Sequence, residues 1–166
     1  MRANCQRHLK RVKKCLRHWV ARWPKERGET LTVKQSQLQA IVNKVSHVFS
    51  YTPDAKARSK FEHWVDVEEL KTIGDMGRGE FRDDCDGFAL ACRFLCREQG
   101  IENRLVFCRT ETLEPHLVCE SDGYIMDNRS KWVKRRDDVP YEWISISGYE
   151  KGDPWRRVKM QGGSDG

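Results

Sequence analysis

Three residues have the types and spacing for covalent chemistry: Cys85, His116 and Asp127. Cys85 stands in DDCDGFALACRFLC (83–96), directly ahead of Phe88, Ala91, Cys92 and Leu95, whose spacing draws the buried face of a helix. Asp84 is well placed as the N-cap of that helix, and Gly100 as its stop. A thiol in the first turn faces unpaired N–H groups and the positive end of the helix dipole, which can draw a cysteine pKa from ~8.5 toward neutrality. Of the seven cysteines only Cys85 has such a place. A thiolate that attacks an amide needs a histidine as proton partner, and the histidine needs a group to orient it.

A predicted hairpin supplies both. HLVCES (116–121) and YIMDNR (124–129) read as strands, and Asp122-Gly123 between them is a strong turn signal. A two-residue turn pairs Ser121 with Tyr124, so Val118 lies opposite Asp127 and His116 opposite Arg129. His116 and Asp127 are then diagonal neighbours on one face, with Cα atoms roughly 7–8 Å apart, close enough for ring and carboxylate to meet. A three-residue turn breaks this register, although a bulge could restore it. Read from the residues alone, a Cys-His-Asp triad stands beside a plainer alternative, a structural histidine and an inert cysteine.

The elements that must position these residues follow from periodicity. Val12, Cys15, Leu16, Trp19, Val20 and Trp23 form one stripe of a basic amphipathic helix over residues 1–28, ended by Pro24 and Gly28. A second helix starts at Thr32, where TVKQ offers a capping box with Gln35, and buries Leu38, Ile41, Val42, Val45 and Phe49. SYTPDAKARSK reads as a loop. A short helix begins near Asp66, turns Val67 and Leu70 inward and stops at Gly74, after which GDMGRGEFRD is a flexible polar approach to Cys85. RLVFCR (104–109) and YEWISISGY (141–149) add strands, KWVKRRDD reads as a basic loop, and residues 151–166 as a frayed C-terminal tail. Cys92, Cys96, Cys108 and Cys119 read as small core residues. The folded domain spans residues 29–150.

Composition bounds the function. The 166 residues carry 38% hydrophobic and 34% charged side chains, enough for one domain with a core of its own. No apolar run approaches the ~18 residues of a membrane helix, and the charged N-terminus lacks the unbroken apolar region of a secretory signal, so a cytoplasmic protein is expected. Seven cysteines without a CxxC pair argue against a disulfide framework or a zinc ribbon. Residues 1–27 hold ten Lys/Arg against Glu26 alone, a balance of +9; the chain is +6, so the remainder is −3. This basic character admits a second class of function, a module that meets nucleic acid or an acidic partner through Lys10, Arg11, Lys13, Lys14, Arg17, Lys131, Lys134, Arg135 and Arg136. No recognised nucleic-acid motif accompanies it.

DDCDGFALACRFLCREQGI followed by HLVCESDGYIMDN resembles the core of the transglutaminase-like cysteine peptidases, closest to the bacterial transglutaminase-like cysteine proteinases. HWVDVEEL resembles that branch's Trp and Glu-Glu segment, and VPYEWISISG its closing strand, so the likeness covers roughly residues 38–149. It implies an α+β fold of the papain/transglutaminase-like kind, N-terminal helices with a catalytic helix packed on an antiparallel sheet. It also implies Cys85 as nucleophile, His116 as general base and acid, and Asp127 as the residue that orients the imidazole. The backbone N–H of Cys85 would serve the oxyanion, with Trp64 as its helper, as a cleft wall, or as an ordinary core tryptophan. The chemistry needs no cofactor. Periplasmic members of the branch bind calcium beside the cysteine; Asp84 and Asp86 match, while Gly87 stands where a third acidic residue is usual. The expected activity is a cysteine hydrolase, most simply a peptidase acting on a protein or peptide through an acyl-thioester. Transamidation and cell-wall amide cleavage are the neighbouring alternatives.

Overall fold

The computed structural model describes residues 32–52, 67–79, 81–150 and 152–158. Helix α1 (Val33–Val48) opens as the capping signal predicts, with the Thr32 hydroxyl accepting from the Gln35 N–H at 3.1 Å. The reciprocal half of the box is not made: the Gln35 side chain donates instead to the Val133 carbonyl. Leu38, Ile41, Val42 and Val45 are buried as expected. Phe49 is not the last helical residue. It begins strand β1 (Phe49–Tyr51), where its ring meets those of Phe81 and Phe88 edge-on at 5.3 and 5.1 Å.

Helix α2 (Val67–Arg78) runs through Gly74, where the sequence reading stopped it. A glycine in a helix costs only about 1 kcal/mol relative to alanine. The stop falls at Gly79, whose φ of 77° lies where a side chain would be strained. The expected flexible approach is therefore the end of α2 followed by strand β2 (Phe81–Asp83), which pairs in parallel with β1, Tyr51 opposite Asp83. This two-stranded unit brings the chain to helix α3 (Cys85–Glu98).

Strands β3 (Arg104–Arg109), β4 (Pro115–Ser121), β5 (Tyr124–Met126), β6 (Lys134–Arg135), β7 (Glu142–Ile146) and β8 (Arg156–Arg157) form an antiparallel sheet in the order β6-β5-β4-β3-β7-β8. Two of them correct the sequence reading. The basic loop contains β6, because buried Val133 and the Arg136 N–H bonded to the Gly123 carbonyl at 2.8 Å hold it to the hairpin. The tail contributes β8, tied by Val158 N–H to the Ile144 carbonyl at 2.9 Å, with Trp155 packed on the core.

Strand alternation splits the core. Leu105, Phe107, Leu117 and Cys119 join α1 and α3 in the larger cluster, while Val106, Cys108, Val118 and Ile125 pack with Tyr141 and Trp143 in the smaller. The four expected core cysteines are all buried, and Cys108 and Cys119 fall in different clusters because their positions differ in parity. Every cysteine among the described residues is a free thiol. Among those residues, no helix is long and apolar enough to cross a membrane.

Gln39 ties α1 to the segment before β6. Its fully buried amide accepts from the Val133 N–H at 2.7 Å and donates to the Lys131 carbonyl at 2.9 Å. Gln39→Leu strands those two backbone groups and is expected to lower unfolding free energy by about 2 kcal/mol in urea titrations, with the m-value unchanged.

Candidate active site

The β4–β5 turn has two residues, as the pairing argument requires. Asp122 and Gly123 have φ of 52° and 78°, both positive, the signature of the type I′ turn that fits strand twist. The observed register, Ser121 with Tyr124 and Cys119 with Met126, sets Val118 opposite Asp127 one step on. His116 and Asp127 meet accordingly: Nε2 lies 2.8 Å from Oδ1, with both side chains buried. Nε2 is thereby committed, and Nδ1 is the ring nitrogen left for a proton partner.

Asp127 is the better satisfied of the two. Its Oδ1 also accepts from the Arg129 N–H at 2.9 Å, and its Oδ2 accepts from the Tyr141 hydroxyl at 2.7 Å. Burial pushes its pKa up, but the bonds from His116, Arg129 and Tyr141 outweigh burial and hold it below the ordinary aspartate value. The Tyr141 ring also stands edge-on to the imidazole at 5.6 Å. Sequence reasoning missed Tyr141. It precedes β7, which lies beyond β3 from the hairpin, and no spacing signal links it to Asp127.

Cys85 is the first residue of α3, and Asp84 caps the helix by accepting from the Asp86 N–H at 3.1 Å. The thiol meets the sheet at Leu117, the residue after His116, whose N–H is directed at the sulfur. That N–H is available because of the ladder. Thr110 donates to the Glu114 carbonyl, so by two-residue alternation His116 and Val118 bond toward β3 and Leu117 bonds away from it. On that side β5 has already ended at Met126. The helix N-terminus thus fills the place where a strand has left the sheet.

The expected low thiol pKa is not found. Burial pushes Cys85 up to about 12, and Asp84 and Asp86 push the same way against the N–H groups of Leu117 and Cys85 itself. Desolvation and two nearby carboxylates outweigh the helix terminus. Asp83, Asp84 and Asp86 lie together, one oxygen from each within 4.8 Å of the others. Burial, then Asp84 and Asp83, raise Asp86 to about 8. Gly87 packs directly on this group: a Cβ there would stand 2.4 Å from the Asp83 Cγ. The space a residue-87 side chain would take is filled by the Asp83 carboxylate.

Trp64 and the N-terminal basic residues Lys10, Arg11, Lys13, Lys14 and Arg17 lie outside the described residues. Of the second basic group, Lys131, Arg135 and Arg136 stand over the rings of Trp132, Tyr124 and Trp143 at 5.1, 5.7 and 5.0 Å. Lys134 is exposed on the edge strand β6.

No family model and no curated protein matches the chain. Solved structures do. Legionella pneumophila LapG is 18% identical over 74% of this chain and 68% of its own, with a TM-score of 0.54. Its calcium-bound form is 18% identical over 82% and 75%, and its EGTA-treated form 16% identical over 81% and 72%, both with a TM-score of 0.58. At such identity the likeness is one of architecture, and the architecture is the papain/transglutaminase-like α+β fold, a helix packed on an antiparallel sheet.

Proposed function

We propose that the protein is a cysteine hydrolase, most simply a peptidase, in which Cys85, His116 and Asp127 act together. The observation that carries this reading is the buried 2.8 Å contact of His116 Nε2 with Asp127 on the strand whose next amide faces the Cys85 sulfur. The fold supports a protein or peptide substrate. His116, bonded through Nε2, accepts the thiol proton at Nδ1 as the sulfur attacks an amide carbonyl. The oxyanion forms beside the Cys85 N–H at the helix terminus. The imidazolium returns the proton to the leaving amine, and the acyl group stays on sulfur as a thioester. Water, deprotonated by the same Nδ1, then releases the acid and restores the thiol; an amine in its place makes the product of transamidation. Asp127 remains ionised throughout and stabilises the imidazolium.

The acidic residues beside the thiol suit calcium, an ion present in one solved form of Legionella pneumophila LapG. The donors are hard oxygens, as that ion requires, and Asp83 fills the space that Gly87 leaves. Asp83, Asp84 and Asp86 would hold it, with loop carbonyls and water completing the six to eight oxygens typical of such sites. Bound there, the ion supplies positive charge against the carboxylates that raise the Cys85 pKa.

Two measurements test these roles. Cys85→Ala and His116→Ala should each lower kcat/KM on a peptide substrate by roughly 10⁴-fold or more, as for members of a unit that act together; residual activity in both variants near that of the parent is incompatible with the reading. Alkylation of Cys85 by iodoacetamide at pH 7, followed by mass spectrometry, should be about tenfold faster in calcium than in EGTA, because a lower pKa enlarges the thiolate fraction. Asp84→Asn with Asp86→Asn should remove the calcium effect. Equal rates in calcium and EGTA for the parent protein would exclude this role for the cluster.

A further inference from the structure

The hydrogen bonds behind Asp127 have a fixed direction. A guanidinium can only donate, so in the 3.0 Å contact between Arg129 Nη1 and the Tyr141 hydroxyl the tyrosine oxygen is the acceptor. The single proton of Tyr141 is then turned to Asp127 Oδ2 at 2.7 Å. Asp127 receives bonds on both oxygens, from Tyr141 on one and from the Arg129 N–H and His116 on the other. A carboxylate so occupied has no proton to give, so the neutral imidazole carries its hydrogen on Nε2 and keeps a lone pair on Nδ1.

The far end of this chain is anchored. Arg129 grips Glu111 with two bonds, Nη2 to Oε1 at 2.5 Å and Nη1 to Oε2 at 2.9 Å. Glu111 belongs to the β3–β4 connection, which is closed on itself by Leu113 N–H to the Thr110 carbonyl at 2.8 Å and leads directly to His116. A cavity of about 170 Å³, lined by Glu111, Asp127, Arg129, Lys134 and Tyr141 among others, opens on the outer side of these bonds. Arg129 and Glu111 are partly exposed, while the tyrosine hydroxyl occupies the bonding position on Asp127.

We propose that Arg129 and Tyr141 are positioning residues that set the tautomer of His116 through Asp127, with Glu111 as their anchor. Its catalytic consequence rests on the cysteine hydrolase reading; the tautomer does not. The Tyr141 ring is held independently of its hydroxyl, against His116 at 5.6 Å, Trp143 at 5.7 Å and the Arg129 guanidinium at 5.5 Å. Tyr141→Phe therefore removes one hydrogen bond and keeps the packing. Losing a donor on Oδ2 frees the carboxylate to swing off the imidazole.

The test is nitrogen-15 NMR of the full chain labelled at histidine, with His116 assigned from a His116→Gln spectrum. The parent should show the Nε2–H tautomer alone. Tyr141→Phe should add the Nδ1–H form and, where a substrate is turned over, lower kcat by about tenfold with KM within about twofold, as expected when an orienting bond and no binding contact is lost. Glu111→Gln, which leaves both residues of the relay in place, should move the ring resonances the same way to a smaller extent. Ring resonances of Tyr141→Phe that coincide with the parent's overturn the proposal, as does an Nδ1–H tautomer in the parent. A tautomer that shifts in a protein cleaving no peptide sustains the relay and sinks the hydrolase reading; cleavage with an unmoved tautomer does the reverse.

Discussion

His116 and Asp127 meet because the turn between their strands holds two residues. Side chains alternate along a strand with period two, so one extra residue at Asp122-Gly123 would send either the imidazole or the carboxylate to the opposite face. The positive φ at both positions of that turn is accepted by glycine at no steric cost and by aspartate more readily than by most residues. Glu120 adds a second lock, its carboxylate accepting from the Gly123 N–H at 2.7 Å while its other oxygen meets Arg104 of β3 at 3.1 Å. The hairpin is thereby fixed to β3, and with it the position of His116 along the sheet.

The short length of β5 matters as much as the turn. Had the strand continued past Met126, its ladder would have used the outward N–H of Leu117 and closed the edge at which the α3 N-terminus sits. Asp127 instead leaves the ladder, and its carbonyl accepts from the Ser130 N–H in a turn. One break in the sheet both frees an amide for the thiol and allows Asp127 to collect donors from Arg129 and from Tyr141, which stands before β7 beyond β3.

What was legible in the sequence was local. The α3 boundaries, its Asp84 cap, the Thr32 cap and the Asp-Gly hairpin each depend on residues a few positions apart, and the His116–Asp127 contact follows from the hairpin by counting. The features that were missed depend on partners distant in the chain. β1 and β2 are three-residue strands whose pairing is cemented by Phe49 against Phe81 and Phe88, and β8 exists only because β7 offers an edge. Tyr141 reached Asp127 by the same kind of long-range packing. Gly74 misled for another reason: a glycine reads as punctuation, yet neither close packing nor a positive φ requires one there, and the positive φ falls at Gly79.

The carboxylates around Cys85 answer two demands that pull apart. Asp84 caps the helix and Asp86 sits in its first turn, where ionised carboxylates favour the helix through its dipole. The same charges oppose a thiolate between them, and burial adds to the opposition, which is why the helix terminus alone does not activate the sulfur. Burial, together with acidic groups too close to ionise at once, keeps the proton on Asp86 to about pH 8. With a folded pKa above the unfolded value of ~3.9, Asp86 favours the folded state fully below that value. Its contribution is lost as pH rises toward about 8, so near neutrality the cluster opposes both folding and thiolate formation. Positive charge placed among these oxygens relieves both penalties at once, whereas an imidazole partner relieves only the second. The coupling of fold stability to thiol chemistry at this one helix terminus is the physical content of finding a cysteine among aspartates.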